Sequence, residues 1–306
     1  MNLLRSIWHK SFVYKKLEDF VEAKASRVAI KMAANEIWTA LEDIKEIRLK
    51  KKIGEDTFIY CYTDSIVAQL IFKEYFEQEE LLFLKRFLNT NDTFVDIGAN
   101  IGLFSLIASK SVGSAGLVLA FEPASVTYNR LLENIALNNF KNIRPFQFAL
   151  SDTNGHAELQ ILSNGYDAWN SLSTPPLGAE VQVESVETQT LDSCFERERI
   201  PFPVLMKVDV EGWEVPVLRG AKKLLSDPNA PCLIVEFTEQ NARNAGFSCH
   251  ELYDLLVFYG YKLFTYDAAQ NRLIPESRRA SYPYVNVIAT KSEELVMNRL
   301  SLSFKS

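Results

Sequence analysis

The sequence predicts an α/β protein built on a mostly parallel sheet, and three observations predict it. From Asp92 onward, short apolar runs alternate with helical stretches, the rhythm of strands covered by helices on both faces. Glycines and acidic residues recur where those runs end. The last two apolar runs are joined by a polar loop alone, which implies an antiparallel pair at one edge.

Taken in order, residues 1–50 contain no proline or glycine, and Val28, Met32, Ile37, Leu41 and Ile44 recur at three- to five-residue spacing. This predicts one or two amphipathic helices. Gly54 and Asp56-Thr57 break the pattern, Thr57–Tyr62 alternates as a strand, and Tyr75–Leu88 reads as a helix. Thr93–Ile97 is then a strand ending at Gly98, followed by helical Leu103–Ser109. Leu117–Glu122 is a second strand, stopped by Pro123 before a helix that runs to Asn138. Asn142–Leu150 is a third, followed by a hairpin-like stretch. Pro203–Val210 is a fourth with a helix near Trp213–Leu225, and Cys232–Phe237 a fifth with a helix over Ser248–Tyr259. Tyr261–Tyr266 and Tyr284–Thr290 close the chain. The expected division is an N-terminal helical arm or lid over residues 1–55 and one α/β domain over 56–306.

Composition narrows the function. The 306 residues are 47% hydrophobic and 24% charged, ordinary for a globular chain. Uncharged apolar stretches such as Ile97–Ser109 and Ser111–Phe121 fall short of the roughly 18 apolar residues of a spanning helix. Residues 1–53 hold 12 Lys/Arg against 7 Asp/Glu, so the net charge of −6 leaves −11 on the remainder. An acidic body argues against a nucleic-acid partner. Four scattered cysteines suggest neither a disulfide framework nor a zinc site, and no secretory signal is evident, so a cytoplasmic location is expected.

Four acidic positions fall at strand ends, where α/β sheets bind ligands. Asp96-Ile-Gly98-Ala-Asn100-Ile-Gly102 is a glycine turn whose G-x-x-x-G spacing departs from the dinucleotide G-x-G-x-x-G. Its carboxylate suits a cation or a ligand amine better than a pyrophosphate. Glu122, 24 residues beyond Gly98, is placed to accept hydrogen bonds from ribose hydroxyls. Lys207, Asp209 and Glu211 should share one face of their strand, and such charges are costly to bury unless paired or turned to a ligand. Glu236 ends the fifth strand in an equivalent position. His9, His156 and His250 lie away from these ends and read as structural or solvated, while Trp169-Asn170-Ser171 sits in a polar insertion beside the cleft or folded over it.

These residues resemble the FkbM-type S-adenosylmethionine-dependent methyltransferases. The resemblance is carried by Phe94-Val-Asp-Ile-Gly-Ala-Asn-Ile-Gly-Leu-Phe-Ser, Ala120-Phe-Glu-Pro, Leu132-Glu-Asn-Ile-Ala-Leu-Asn, Ala149-Leu-Ser-Asp and Met206-Lys-Val-Asp-Val-Glu-Gly-Trp-Glu. Leu218-Arg-Gly-Ala, Val235-Glu, Gly260-Tyr and Asn286-Val-Ile continue it in order over roughly residues 70–290. It implies a class I (Rossmann-like) methyltransferase fold of seven strands, the last antiparallel. It also implies S-adenosylmethionine as cofactor. Gly98, Ala99, Asn100 and Gly102 would then hold its methionine part, with Asp96 near the amino group. Glu122, next to Pro123, would take the ribose, Ser151 and Asp152 would lie near the adenine, and Asp209 would face the methyl group.

A hydroxyl acceptor needs its proton removed, for which Asp209 is the first candidate and Glu236 the second, with Lys207 and Glu211 orienting the acceptor. No metal is expected, although Asp209, Glu211 and Glu236 together would offer oxygen ligands to Mg²⁺. The expected function is O-methylation of a sugar, glycan precursor or secondary metabolite, the acceptor being a small molecule or glycan. The alternatives are N-methylation of a small molecule or protein, or a non-catalytic cofactor-binding partner protein; an NAD-dependent oxidoreductase is disfavoured by the glycine spacing. Residues 1–55 would serve as a lid or a homo-oligomer contact before a peripheral membrane contact.

Overall fold

The computed structural model describes residues 27–41, 44, 47–162, 171–172 and 181–302. In chain order these form α1 (Arg27–Leu41), β1 (Arg48–Lys52), β2 (Phe58–Tyr62), α2 (Ile66–Phe72), α3 (Gln78–Phe87), β3 (Thr93–Ile97), α4 (Leu103–Val112), β4 (Leu117–Phe121) and α5 (Ser125–Leu137). There follow β5 (Ile143–Phe146), β6 (Ala149–Leu150), β7 (Gly155–Leu162), β8 (Val181–Gln189), α6 (Leu191–Glu198), β9 (Leu205–Val208), α7 (Glu214–Arg219) and α8 (Lys222–Ser226). The chain ends with β10 (Cys232–Phe237), α9 (Glu239–Asn244), α10 (Cys249–Phe258), β11 (Lys262–Asp267), β12 (Arg272–Pro275), β13 (Val285–Thr290) and α11 (Glu293–Leu302).

The main sheet has the order β12-β11-β13-β10-β9-β3-β4-β5. Strands β5, β4, β3, β9 and β10 are mutually parallel, and β13 runs antiparallel between β10 and β11. This is the class I methyltransferase arrangement with its antiparallel last strand. Two details differ from expectation. The last strand lies two places in from the sheet edge, so its antiparallel pair with β11 is not itself the edge. The loop read as polar contains β12, which makes eight strands where seven were expected.

Alternation along the strands sorts the core into two layers. Phe94, Val118, Leu205, Ile234 and Ile288 face one side with Phe83, Leu84 and Leu106. Val95, Leu119, Met206, Leu233, Val235 and Val287 face the other with Val217, Leu218 and Leu252. Period-two alternation inside uniformly buried strands is what a sheet covered on both faces requires.

Asn142–Leu150 is not one strand. Pro145 has no N–H to donate, which suits the edge position of β5, and the chain then bends so that β6 joins β8 and β7 in a separate three-stranded sheet. The helix expected over Trp213–Leu225 is broken near Gly220, where a Cβ would meet the Ser151 carbonyl oxygen at 2.0 Å.

The boundary expected at residue 55 falls inside a ribbon. β1 pairs antiparallel with β2 through Arg48↔Tyr62 to Lys52↔Phe58, so described residues on the two sides of position 55 share one ladder of hydrogen bonds. Trp38 of α1 is 1% exposed, lies 5.6 Å from the Phe72 ring and belongs to the same core layer as Phe94. The Leu132–Asn138 stretch anchors the ribbon: the Asn134 and Asn138 side-chain oxygens accept from Tyr60 N at 2.7 Å and Phe58 N at 2.8 Å. β1 was hidden in the sequence because Arg-Leu-Lys-Lys-Lys buries only Leu49. No described helix is long and apolar enough to cross a membrane.

Candidate active site

The chain runs β3 to β4 to β5 in one direction and resumes at β9 and β10 in the other, so the switch point lies between β3 and β9. In such sheets the crevice opens beyond the carboxyl ends at that point. A cleft of about 340 Å³ is found there. Its walls include Gly98, Ala99, Asn100, Glu122 and Pro123 on the β4 side, Lys207, Asp209 and Glu211 in the middle, and Glu236 and Tyr284 on the β10 and β13 side.

At the first end the turn after β3 is packed directly on the end of β9. Gly98 has φ +80°, and a Cβ there would meet the Asp209 carbonyl oxygen at 1.8 Å, so only glycine permits the approach. Glu122 is buried and accepts from Asn100 N and Ala124 N, each at 3.0 Å. Asn100 has φ +49° and accepts from Ile101 N through its own side chain at 2.8 Å. Phe121, Phe148, Leu150 and Leu172 line the same end. A buried carboxylate beside an apolar slot and a glycine turn fits a nucleoside with ribose hydroxyls to donate and a flat base to bury. The aromatic and aliphatic slot went unmarked in the sequence, since β6 and Leu172 reach it only through the second sheet.

The middle of the cleft is a buried charge cluster. Parallel pairing sets Asp96 of β3 opposite Lys207 of β9, both on the face of Phe94 and Leu205. Lys207 is 3% exposed; its ammonium contacts Asp209, lies 3.5 Å from Glu77 Oε2 and sits 4.7 Å above the Phe104 ring. Burial by itself would lower Lys207, but Asp209, Glu77 and Asp96 outweigh it and hold the ammonium well above its usual range. Burial likewise pushes against ionised Asp209, and there too Lys207, with hydrogen bonds from Glu236 and Lys207, prevails and leaves the carboxyl below its ordinary value.

The neighbouring acids go the other way. Burial, reinforced by the Asp209 charge, holds Glu236 and Glu211 well above the carboxylate range. Burial raises Glu77 to about 8 and, against hydrogen bonds from Val210 N and Gly212 N, Glu214 to about 7. Asp96 is raised by burial and accepts from Ser105 Oγ at 2.6 Å. One strongly ionised pair, Lys207 and Asp209, therefore stands among carboxyls biased toward their neutral form.

Of the residues singled out from the sequence, Asp96, Gly98, Ala99, Asn100, Glu122, Pro123, Lys207, Asp209, Glu211 and Glu236 all border the cleft. Glu211 does not extend the Lys207–Asp209 row. β9 ends at Val208, Glu211 has φ +53°, and its Oε2 accepts from Asn241 Nδ2 at 2.5 Å. Gly102, Ser151 and Asp152 stand outside the cleft wall: Gly102 precedes α4, Ser151 is buried with its Oγ accepting from Trp213 Nε1 at 3.2 Å, and Asp152 is exposed. Exposed His156 and half-buried His250 lie away from the cleft, and Ser171 donates to the Glu211 carbonyl at 2.8 Å. His9, Trp169 and Asn170 lie outside the described residues.

Glu77, Tyr75 and Phe76 complete the wall from the segment between α2 and α3, and no motif in the sequence marks them. Among the described residues, Glu77, Asp209 and Glu236 bring oxygens within 4.8 Å of one another, so Glu77 takes the place expected for Glu211, and Lys207 is the positive charge beside them.

Comparison with known proteins points to one family. A family model described as "Methyltransferase FkbM domain" matches residues 96–263. Methyltransferase sdnD of Sordaria araneosa is 32% identical over 200 residues, which cover 55% of this chain and 74% of that protein. Hexuronic acid methyltransferase AglP of Haloferax volcanii is 30% identical over 156 residues, 50% of this chain and 59% of that one. Among solved structures, precorrin-6y C5,15-methyltransferase from Geobacter metallireducens matches with a TM-score of 0.39 at 14% identity, over 72% of this chain and 88% of that one. M. jannaschii TYW2 in complex with AdoMet gives 0.39 at 16% identity, over 80% and 85%.

Proposed function

The chain belongs to the FkbM methyltransferase family, and from that premise we propose that it is an O-methyltransferase whose acceptor is a hydroxyl of a sugar, glycan precursor or secondary metabolite. S-adenosylmethionine is its cofactor, and when bound it supplies an electrophilic methyl group on a sulfonium. The observation that carries the hydroxyl reading is the Lys207–Asp209–Glu236 cluster with Glu77, which opens into the same cleft as the Gly98 turn and Glu122. Methyl transfer needs alignment of the acceptor, exclusion of water and, for an alcohol, a group to receive the proton. Here Glu122 and the apolar slot hold the cofactor end, while Asp209, kept ionised by Lys207, orients the acceptor beside the methyl position. The carboxyl groups around that position can exchange hydrogen bonds with acceptor hydroxyls. AglP, by its name a hexuronic acid methyltransferase, supports a sugar-derived acceptor.

Two measurements test this. Calorimetric titration of S-adenosylmethionine and S-adenosylhomocysteine should show saturable binding near the micromolar range. Transfer of labelled methyl from the cofactor should then be found on members of a panel of glycosides and hydroxylated metabolites, and not on matched amines. Labelling confined to amines would refute the O-methyl reading while leaving the methyltransferase intact.

A further inference from the structure

Among the described residues, the other carboxylates in the cleft are each held by close contacts within the protein. Asp96 accepts from Ser105, Asp209 is held by Lys207 and Glu236, and Glu236 accepts from Thr238 Oγ1 at 2.6 Å. Glu211 accepts from Asn241, and Glu122 from two backbone N–H groups. Glu77 is different. Its Oε1 accepts from Asn286 Nδ2 at 3.4 Å, and its buried Oε2 is ion-paired with Lys207 Nζ at 3.5 Å but has no hydrogen-bond donor among the described residues. Leaving a buried acceptor without a donor is destabilising.

The backbone adds to the anomaly. Glu77 is the N-cap residue of α3, where a side-chain oxygen would ordinarily satisfy a first-turn N–H. It makes no capping bond, and its φ of +39° is a left-handed conformation that is strained for a non-glycine residue. The side chain is instead turned into the cleft and is 6% exposed. Strain, a forgone cap and a loosely held carboxylate converge on one residue of the cleft wall.

We propose that Glu77 is the catalytic proton acceptor, its carboxylate taking first the hydrogen bond and then the proton of the acceptor hydroxyl. This role rests on the O-methyltransferase reading and assigns within it the step for which the sequence pointed to Asp209. The acceptor O–H bond breaks with its proton passing to the Glu77 carboxylate, and the oxygen's electron pair forms the new O–C bond to the methyl. The C–S pair stays on sulfur, which leaves as a neutral thioether, and Glu77 returns the proton to water. Asp209 is the poorer base because Lys207 stabilises its ionised form.

Glu77 is faced by Lys207 and Asp209 from the end of β9, Glu80 from α3, Glu236 from β10, Tyr284 just before β13 and Asn286 on it. Burial foremost, opposed by Lys207, places its carboxyl at about 8. Turnover should therefore rise with pH through about 8 as Glu77 ionises, a value well matched to proton transfer near neutrality.

The test compares wild type, Glu77→Gln, Glu77→Asp and Asp209→Asn on the hydroxyl compound that the acceptor panel returns, from pH 6 to 9.5. Calorimetry of S-adenosylhomocysteine serves as the check on folding and on the cofactor end. Glu77→Gln should keep cofactor affinity within about twofold, lose kcat by about 100-fold or more with little change in KM, and lose the rising limb. Glu77→Asp should recover at least about tenfold over Gln. An unchanged kcat in Glu77→Gln overturns the proposal, as does a loss that falls on KM alone or leaves the limb in place. Should Gln also abolish cofactor binding, Asp decides: a limb at the wild-type pH overturns the role and a displaced limb sustains it. A panel with no labelled hydroxyl despite intact cofactor binding removes the O-methyl reading and this role together, whereas an active panel with an unaffected Glu77→Gln removes only the role.

Discussion

Replacing Lys207 with methionine probes the buried charge cluster directly. The substitution keeps the apolar stem beside Phe104 and deletes an ammonium that is 3% exposed, contacts Asp209 and lies 3.5 Å from Glu77. Removing one partner of a buried ion pair costs about 3–5 kcal/mol, against about 0–1 for an exposed pair. That is a large share of the roughly 5–15 kcal/mol that holds a domain folded. The effect has a sign in pH. In wild type, Asp209 is held below its unfolded value, so its contribution is present above the ordinary Asp range near about 3.9 and is lost only in acid. Without the ammonium, burial raises Asp209 instead. The native state then keeps a proton that the unfolded chain has released, and stability falls as pH rises. Each such proton steepens the fall by about 1.4 kcal/mol per pH unit, so the gap between variant and wild type should widen by up to about 3 kcal/mol from pH 6 to pH 8. Urea unfolding followed by circular dichroism at both pH values measures it. Adding Asp209→Asn to the Lys207→Met chain should recover at least half of the loss at pH 8. A gap below about 1 kcal/mol at both pH values, or a double variant less stable than the single one, would refute the reasoning.

Other outcomes rest on the same geometry. Glu122→Ala removes the carboxylate expected to receive the ribose hydroxyls, and loss of hydrogen bonds to a charged group at about 1.5–3 kcal/mol weakens cofactor binding by about 10- to 150-fold; a calorimetric change under threefold contradicts this. Trp38→Ala should cost about 3–5 kcal/mol in urea unfolding because Trp38 is buried in the main core, where a detachable lid would lose only about 0.5.

Residues placed by local geometry are legible in the amino-acid order. The Gly98 turn, Glu122 and the Lys207–Asp209 row are read from strand period and strand ends, because a parallel strand aims alternate side chains at one face and its carboxyl end at the crevice. Glu211 escapes that rule because its strand ends three residues earlier and its backbone turns left-handed. The slot formed by Phe148, Leu150 and Leu172 is illegible because it depends on a second sheet whose strands meet across a long separation in sequence.

The sequence by itself determined the family, the parallel sheet and the two ends of the cleft that strand order brings together. Only the tertiary structure decided that Trp38 is core, that β1 and β2 bridge the expected boundary, and that Glu77 faces Lys207 across a segment with no motif of its own. The reason is physical. Periodicity encodes which face of an element is buried, whereas burial, desolvation and the approach of charges from distant elements set what a carboxylate at that face does.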